Sequence, residues 1–271
     1  MKGAGMRRRR NGGGSSWLVV VCGLLLMIVG VSFVGGMLYI VSSQPNTTLA
    51  EDQCVEGAEL DAHTIIQVDQ SDAYSAVQVS ALVTVIERAR DRLPARGRLT
   101  ILYLNAESPF EPSQEFSFCS PGRAEDYDSW SSDPQMRQRE WEERFSQPLD
   151  AVIDKLRKPR EAQQSPIVES VRGLEWRPDY DLIVATRELI IVSDMIQNSA
   201  IGRFHSRAQP NDADRIVRQI ADDRLVPDLT GVSITIELLE NERTIPYQTS
   251  ALRRFWDQLF ILSNAKSVNW S

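Results

Sequence analysis

Two apolar runs of this chain each end in an aspartate, and that repetition limits the folds open to it. The first, Thr64-Ile65-Ile66-Gln67-Val68, delivers a polar cluster, Asp69-Gln70-Ser71-Asp72-Ala73, to the start of a long amphipathic stretch. The second, Glu188-Leu189-Ile190-Ile191-Val192-Ser193-Asp194, repeats the pattern more than a hundred residues later. A short apolar run bounded by polar residues reads as a buried strand, and apolar positions at Tyr74, Val77, Ala81, Leu82, Val85, Ile86, Ala89 and Leu93 recur at helical spacing. Buried strands alternating with amphipathic helices predict an open parallel sheet. In such sheets ligands collect at the carboxyl ends of the strands, where loop side chains and free N–H groups converge.

The remaining elements follow the same alternation. Leu99 to Leu104 is a second strand, reached after Pro94 and Gly97 close the first helix, and the strand–helix–strand unit predicts a right-handed parallel crossover. Residues 105–134 hold Pro109, Pro112, Pro121-Gly122 and Pro134 and read as a long surface loop containing Cys119. Asp133-Pro134 starts a helical stretch to about Lys158, with Pro148 splitting it in two. Gln164-Ser165-Pro166 repeats the cap-then-proline pattern before a short helix through Ile167, Val168, Val171 and Leu174. A helix over 212–225, a strand over 232–239 and an amphipathic helix over 250–264 complete the domain. The fold class is α/β: a doubly wound, mostly parallel central sheet with helices on both faces, preceded by one transmembrane helix.

That helix is the run Trp17 to Val41, 25 residues without a charge, against the roughly 20 needed to cross a bilayer. It exceeds the apolar core of a cleaved signal peptide, about 7–15 residues. The organisation read from the chain is a basic leader over 1–16, a span over 17–41, a polar linker over 42–60 and an α/β domain over 61–271. Arg7 to Arg10 hold the leader in the cytoplasm by the positive-inside rule, which sends the domain to the periplasm or exterior. The layout is that of a single-pass protein of a bacterial inner membrane. Beyond residue 50 the chain carries 25 basic against 37 acidic residues, a balance that argues against a nucleic-acid partner, which needs a basic stripe. Cys54 and Cys119, the two cysteines beyond the span, are candidates for a disulfide in an oxidising compartment.

Two strand ends bring Asp69 and Asp194, a helix start brings Ser165, and Ser71 lies two residues after Asp69; hard divalent cations take such carboxylate and hydroxyl oxygens. Here the chain resembles the von Willebrand factor A-type domain. That family places D-x-S-x-S after its first strand, a Thr at a later helix start and an Asp after its fourth strand, together holding Mg²⁺ in a metal-ion-dependent adhesion site. The resemblance covers 61–265 in element order, and it implies Asp69, Ser71, Ser165 in place of the Thr, and Asp194 as metal ligands. The chain departs from the pattern at Ala73, where the motif has its second serine, and at Asp72, an added carboxylate. Asp72 and Asn198 are candidate partner contacts.

What the resemblance implies is a membrane-anchored protein-interaction or assembly domain, with Mg²⁺ completing its coordination through a partner's carboxylate. A metal-independent structural subunit of an envelope complex is the alternative, in which Asp69 and Asp194 merely cap the helices that follow and Ser165 is an N-cap. A metal-dependent hydrolase is a further alternative, with little behind it. The D-x-D of aspartyl phosphatases would need a carboxylate at Ser71, His63 stands at the far end of its strand, His205 lies in a polar stretch, and no Gly-rich phosphate loop follows any strand. No catalytic residue is assigned.

Overall fold

The structure is a computed structural model that describes residues 15–42, 50–71, 73–128, 133–158, 162–180, 184–205, 212–240 and 242–271. Asp72 lies outside them. The chain divides into two compact units, Met1–Thr48 and Leu49–Ser271.

The first unit is the helix α1, Ser15–Ser42, of 28 residues, about 42 Å at 1.5 Å per residue. Its side chains are described at Trp17 and from Val20 to Gly36, and over the described residues no helix is long and apolar enough to cross a membrane.

The second unit is an α/β domain around a six-stranded sheet in the order β3-β2-β1-β4-β5-β6. The strands are β1 (His63–Val68), β2 (Arg98–Tyr103), β3 (Ser113–Cys119), β4 (Arg187–Ser193), β5 (Val232–Leu238) and β6 (Ser267–Trp270). All neighbours are parallel except β2 and β3, which pair antiparallel with a register shift at Ile101/Leu102. The helices are α2 (Ala76–Arg92), α3 (Pro134–Trp141), α4 (Gln147–Leu156), α5 (Ile167–Arg172), α6 (Ala213–Asp222) and α7 (Ser250–Leu262).

Alternation along the strands divides the core in two. Ile66, Val68, Leu99, Ile101, Ile190 and Val192 face α2, α3 and α4, while Ile65, Leu189, Ile191, Ile234 and Ile236 face α5, α6 and α7. β1 is buried at every position, as a central parallel strand covered on both faces must be, and each fully buried large apolar side chain contributes about 1.5–3 kcal/mol. β5 and β6 are covered on one side only: Val232, Ile234, Ile236, Val268 and Trp270 belong to the α6/α7 side, and the intervening Ser233, Thr235, Ser267 and Asn269 are polar and at least partly exposed.

Several sequence expectations need correction. β3, with Cys119 as its last residue, occupies ground read as loop; its alternation was obscured because three of its residues are Ser or Gln and it is an edge strand with one solvated side. β6 was missed for the same reason of length and polarity. The 134–158 stretch is divided into α3 and α4 as expected, with Pro148 in the first turn of α4. A π-helical stretch, Glu142–Ser146, carries the chain into α4, where the proline falls at the first turn and forfeits no needed donor. The cap of α2 is Ser75, in a reciprocal capping box with Gln78, so Asp69 does not cap it. Part of the segment read as linker is fixed to the domain by the Cys54–Cys119 disulfide, with Cα atoms 5.0 Å apart.

At the start of the 3₁₀ turn after α5, a Cβ on Gly173 would lie 1.9 Å from the Phe110 carbonyl oxygen. Gly173→Ala should therefore force the 105–112 loop away from α5 and destabilise the domain by roughly 2 kcal/mol, read as a lowered urea midpoint; an unchanged midpoint would show that the loop yields freely.

Candidate functional site

The strand order reverses between β1 and β4, since the chain winds outward from β1 through β2 and from β4 through β5. Ligand crevices of open α/β sheets form at such a switch point, beyond the carboxyl ends of the strands. Asp69 and Asp194 are the residues that leave β1 and β4 at that point.

Asp69 is 3% exposed. Its Oδ2 accepts the hydroxyl of Ser165 at 2.6 Å and that of Ser193 at 2.7 Å, and its Oδ1 accepts the N–H of Ser71 at 3.1 Å. Its main chain is held too: the N–H donates to the Val192 carbonyl at 3.0 Å, and the Tyr74 hydroxyl donates to the Asp69 carbonyl. Three donors on one carboxylate meet the charge from within the protein, which a buried ion requires. The alternation explains the partners: residue 69 continues the odd positions of β1, and Ser193 those of β4, so both point toward the α5 side.

The structure thus brings Asp69, Ser71 and Ser165 together and adds Ser193, which the sequence reading passed over. The signal was present, a hydroxyl residue as the last of an apolar strand, but the aspartate beside it drew the assignment. Ser165 is not a helix cap. Pro166 takes that position with no side-chain bond, and the serine hydroxyl goes to Asp69. Asp194 does not start a helix either: its Oδ1 accepts the Ile196 N–H at 2.9 Å in a tight Asx turn. Asn198 pairs with Ser165 through both main-chain bonds, each 2.9 Å, and its side-chain amide donates to the Gln163 carbonyl. Asp72 cannot be placed.

The loop after β4 carries strain that sequence could not show. Met195 has φ +61°, a conformation that costs a non-glycine residue about 1–3 kcal/mol. Two bonds hold it there: its N–H donates to Ser193 Oγ at 2.8 Å and its carbonyl accepts the Trp256 indole N–H from α7, also at 2.8 Å. Behind it, buried Gln197 donates to Glu169 Oε2 and to Ser199 Oγ, each at 2.7 Å, and accepts the Val168 N–H at the start of α5.

The donor set can be tested against a divalent cation. Mg²⁺ keeps several waters and takes one or two carboxylates. A hydroxyl that gives its proton to Asp69 retains lone pairs for a metal, so Ser165 and Ser193 are competent ligands. Against this, both oxygens of Asp69 are already engaged, Ala73 supplies no oxygen, and no group of three His, Cys, Asp or Glu side chains that could hold a metal occurs among the described residues. The fit is partial: the set tolerates a cation and does not need one to balance its charge.

A second buried polar cluster lies at the opposite end of the sheet. His63 is 2% exposed, with its Nε2 2.9 Å from Thr100 Oγ1. Thr100 and Ser117 share a hydrogen bond at 2.9 Å, and Ser117 donates to Asp179 Oδ2 at 3.3 Å. Arg177 grips both oxygens of Asp179 at 2.9 and 2.8 Å. Burial lowers the His63 pKa to about 4; the Asp179 carboxylate opposes the shift, and Arg98, Arg177 and Arg187 add to it. Burial by itself would raise the pKa of Asp179, but the bonds and charge of Arg177, with His63 and Arg98, bring it below the ordinary carboxylate value. His205 is exposed, its ring 5.9 Å from that of Tyr247.

No protein-family profile matches the chain, and no characterised protein matches it in sequence. Among solved structures, the three N-terminal domains of the type V pili tip protein Mfa5 from Porphyromonas gingivalis align with 64% of this chain at 10% identity and a TM-score of 0.32. The chain covers 28% of that structure, and a likeness of this degree fixes neither fold nor function.

Two outcomes follow from these clusters. Asp69→Ala leaves two buried hydroxyls and the Ser71 N–H without their acceptor, so it should destabilise the domain by about 3 kcal/mol, well above the ~1 kcal/mol of a lost helix cap; urea unfolding distinguishes the two. Because the folded pKa of His63 lies below its unfolded value of 6.5, the unfolded state binds the extra proton between pH 6.5 and about 4. Stability should fall as pH drops through that window, by up to about 3 kcal/mol, and His63→Gln should flatten that part of the profile.

Proposed function

We propose that this chain is a membrane-anchored, extracytoplasmic protein-interaction domain of the von Willebrand factor A type, whose docking surface is the carboxyl end of its sheet and whose Asp69 cluster is a metal-independent scaffold for that surface. The observation that carries the reading is the bonding of Asp69 to Ser165, Ser193 and the Ser71 amide. It ties the ends of β1 and β4 to the loop before α5, giving three segments one rigid geometry at the switch point. Rigid loops on a sheet end are suited to recognising another protein by shape.

Supporting features agree with it. Asp194 directly follows the fourth strand, the place the family resemblance gives its later aspartate. The uncharged run from Trp17 to Val41, preceded by four arginines in sequence, lies within α1. The Cys54–Cys119 disulfide fits an oxidising compartment. Near the C-terminal end of β5, an open groove of about 600 Å³ runs beside α2, lined by Val77, Ser80, Thr84, Leu238 and Leu239, and Val77 is 78% exposed at its mouth. A hydrolase gains nothing from the geometry, since His63 sits buried at the other end of β1.

A second reading, Mg²⁺-assisted binding, is favoured by the lone pairs that Ser165 and Ser193 keep after donating to Asp69. Thermal unfolding of the full chain with and without millimolar Mg²⁺ separates the two. The metal-independent scaffold predicts coincident curves, and a rise in midpoint that Ser165→Ala abolishes would transfer the case to the metal. Protease added to spheroplasts should digest residues beyond 50; a protected domain would refute the topology.

A further inference from the structure

Residues 50–60 belong to neither large core. They form a strap along the base of the domain, held by a small apolar cluster of their own, Cys54, Leu60 and Cys119 packed with Val184. Polar contacts join it to the rest of the domain. The Cys119 N–H donates to the Asp52 carbonyl at 2.9 Å, the Asp52 carboxylate pairs with Arg98 at 2.8 Å, and the Ala185 N–H donates to the Leu60 carbonyl at 3.1 Å. The one covalent tie is the disulfide. A segment outside both large cores, packed through an apolar cluster of its own, is a unit that opens without the rest.

The chemistry around the sulfur favours reduction. Arg98 Nη1 stands 3.4 Å from Cys54 Sγ, a cation placed where a thiolate forms, and a stabilised thiolate favours the reduced pair. Arg98 is itself retained by β3 and the base cluster, through Ser117 Oγ at 3.0 Å and Asp179 Oδ2 at 3.6 Å, so it need not leave with the strap.

We propose that residues 50–60 are a redox-released strap: reduction of Cys54–Cys119 by a dithiol frees them from β3 while both faces of the sheet stay packed. A thiolate of the dithiol attacks Sγ of Cys54, the less buried of the two residues, and the Cys54–Cys119 bond breaks with Cys119 leaving as thiolate and taking a proton. The second thiolate of the dithiol then displaces Cys54, which leaves beside Arg98 and is protonated in turn. The protein gains two electrons and two protons, and the dithiol departs as a disulfide. Eleven residues pass from strap to tether, adding about 35 Å of contour at ~3.3 Å per residue. The consequence for reach from a membrane rests on the anchored reading above; the release itself does not.

The test uses the full chain in lipid nanodiscs with dithiothreitol as the probe, following alkylation of Cys54 and Cys119 and amide hydrogen exchange by mass spectrometry. On reduction, exchange over 50–60 should rise by at least about tenfold while the amides of β1 and β4 keep their protection. Asp52→Asn, which removes the ion pair and leaves Arg98 beside the sulfur, should be reduced at about fivefold lower dithiothreitol. The double variant Cys54→Ser/Cys119→Ser should exchange over 50–60 as the reduced protein does. Unchanged protection of the strap after reduction, a strap still protected in the double variant, or loss of protection throughout the sheet overturns the proposal. A domain found on the cytoplasmic side of spheroplasts would overturn the membrane reading alone.

Discussion

A carboxylate buried at the end of a central strand must have its charge met from inside the protein, and the organisation of the switch point follows from how this chain meets that demand at Asp69. The cost of stripping water from an ion is several kcal/mol. It is offset here by two hydroxyls and a main-chain amide that come from three separate segments, so the same bonds that neutralise the charge fix the relative positions of β1, β4 and the turn before α5. The strained Met195 and its indole clamp from α7 extend that order to the far side of the crevice. Rigidity at the sheet end is a product of electrostatics, with apolar packing on both faces supplying the platform.

The two ends of the sheet use polar burial differently. At the carboxyl end a single acid is ringed by neutral donors. At the amino end, Arg98 and Arg177 balance the charge of Asp179 around His63, Thr100 and Ser117. The second arrangement keeps the imidazole neutral and makes the base of the domain acid-sensitive.

Much of this was legible in the chain. The apolar runs ending at Val68 and Ser193 were read as strands because burial on both faces leaves them mostly apolar, and α2 and α7 announced themselves by spacing. The pairing of Cys54 with Cys119 followed from there being no other candidates beyond the first helix. What could not be read depends on tertiary partners. β3 and β6 are edge strands most of whose polar residues face solvent, so their composition resembles loop. Ser165 looks like a helix cap in one dimension and becomes an acid's hydrogen-bond donor only when β1 is beside it. Ser193 was hidden by its neighbour, since sequence does not say which of two adjacent polar residues at a strand end turns inward.

The reversal of strand order also sets a sequence of events for folding. The β1–β2 and β4–β5 pairs are each joined by one crossover, whereas Ser193 meets Asp69 across 124 residues of chain. Closing so long a loop is entropically expensive, and contacts of this separation form late. The two halves of the sheet can each assemble early, but the crevice exists only once they have joined. A chain released with its first half folded would carry Asp69 at an uncovered strand edge, with its charge still solvated, until β4 arrives.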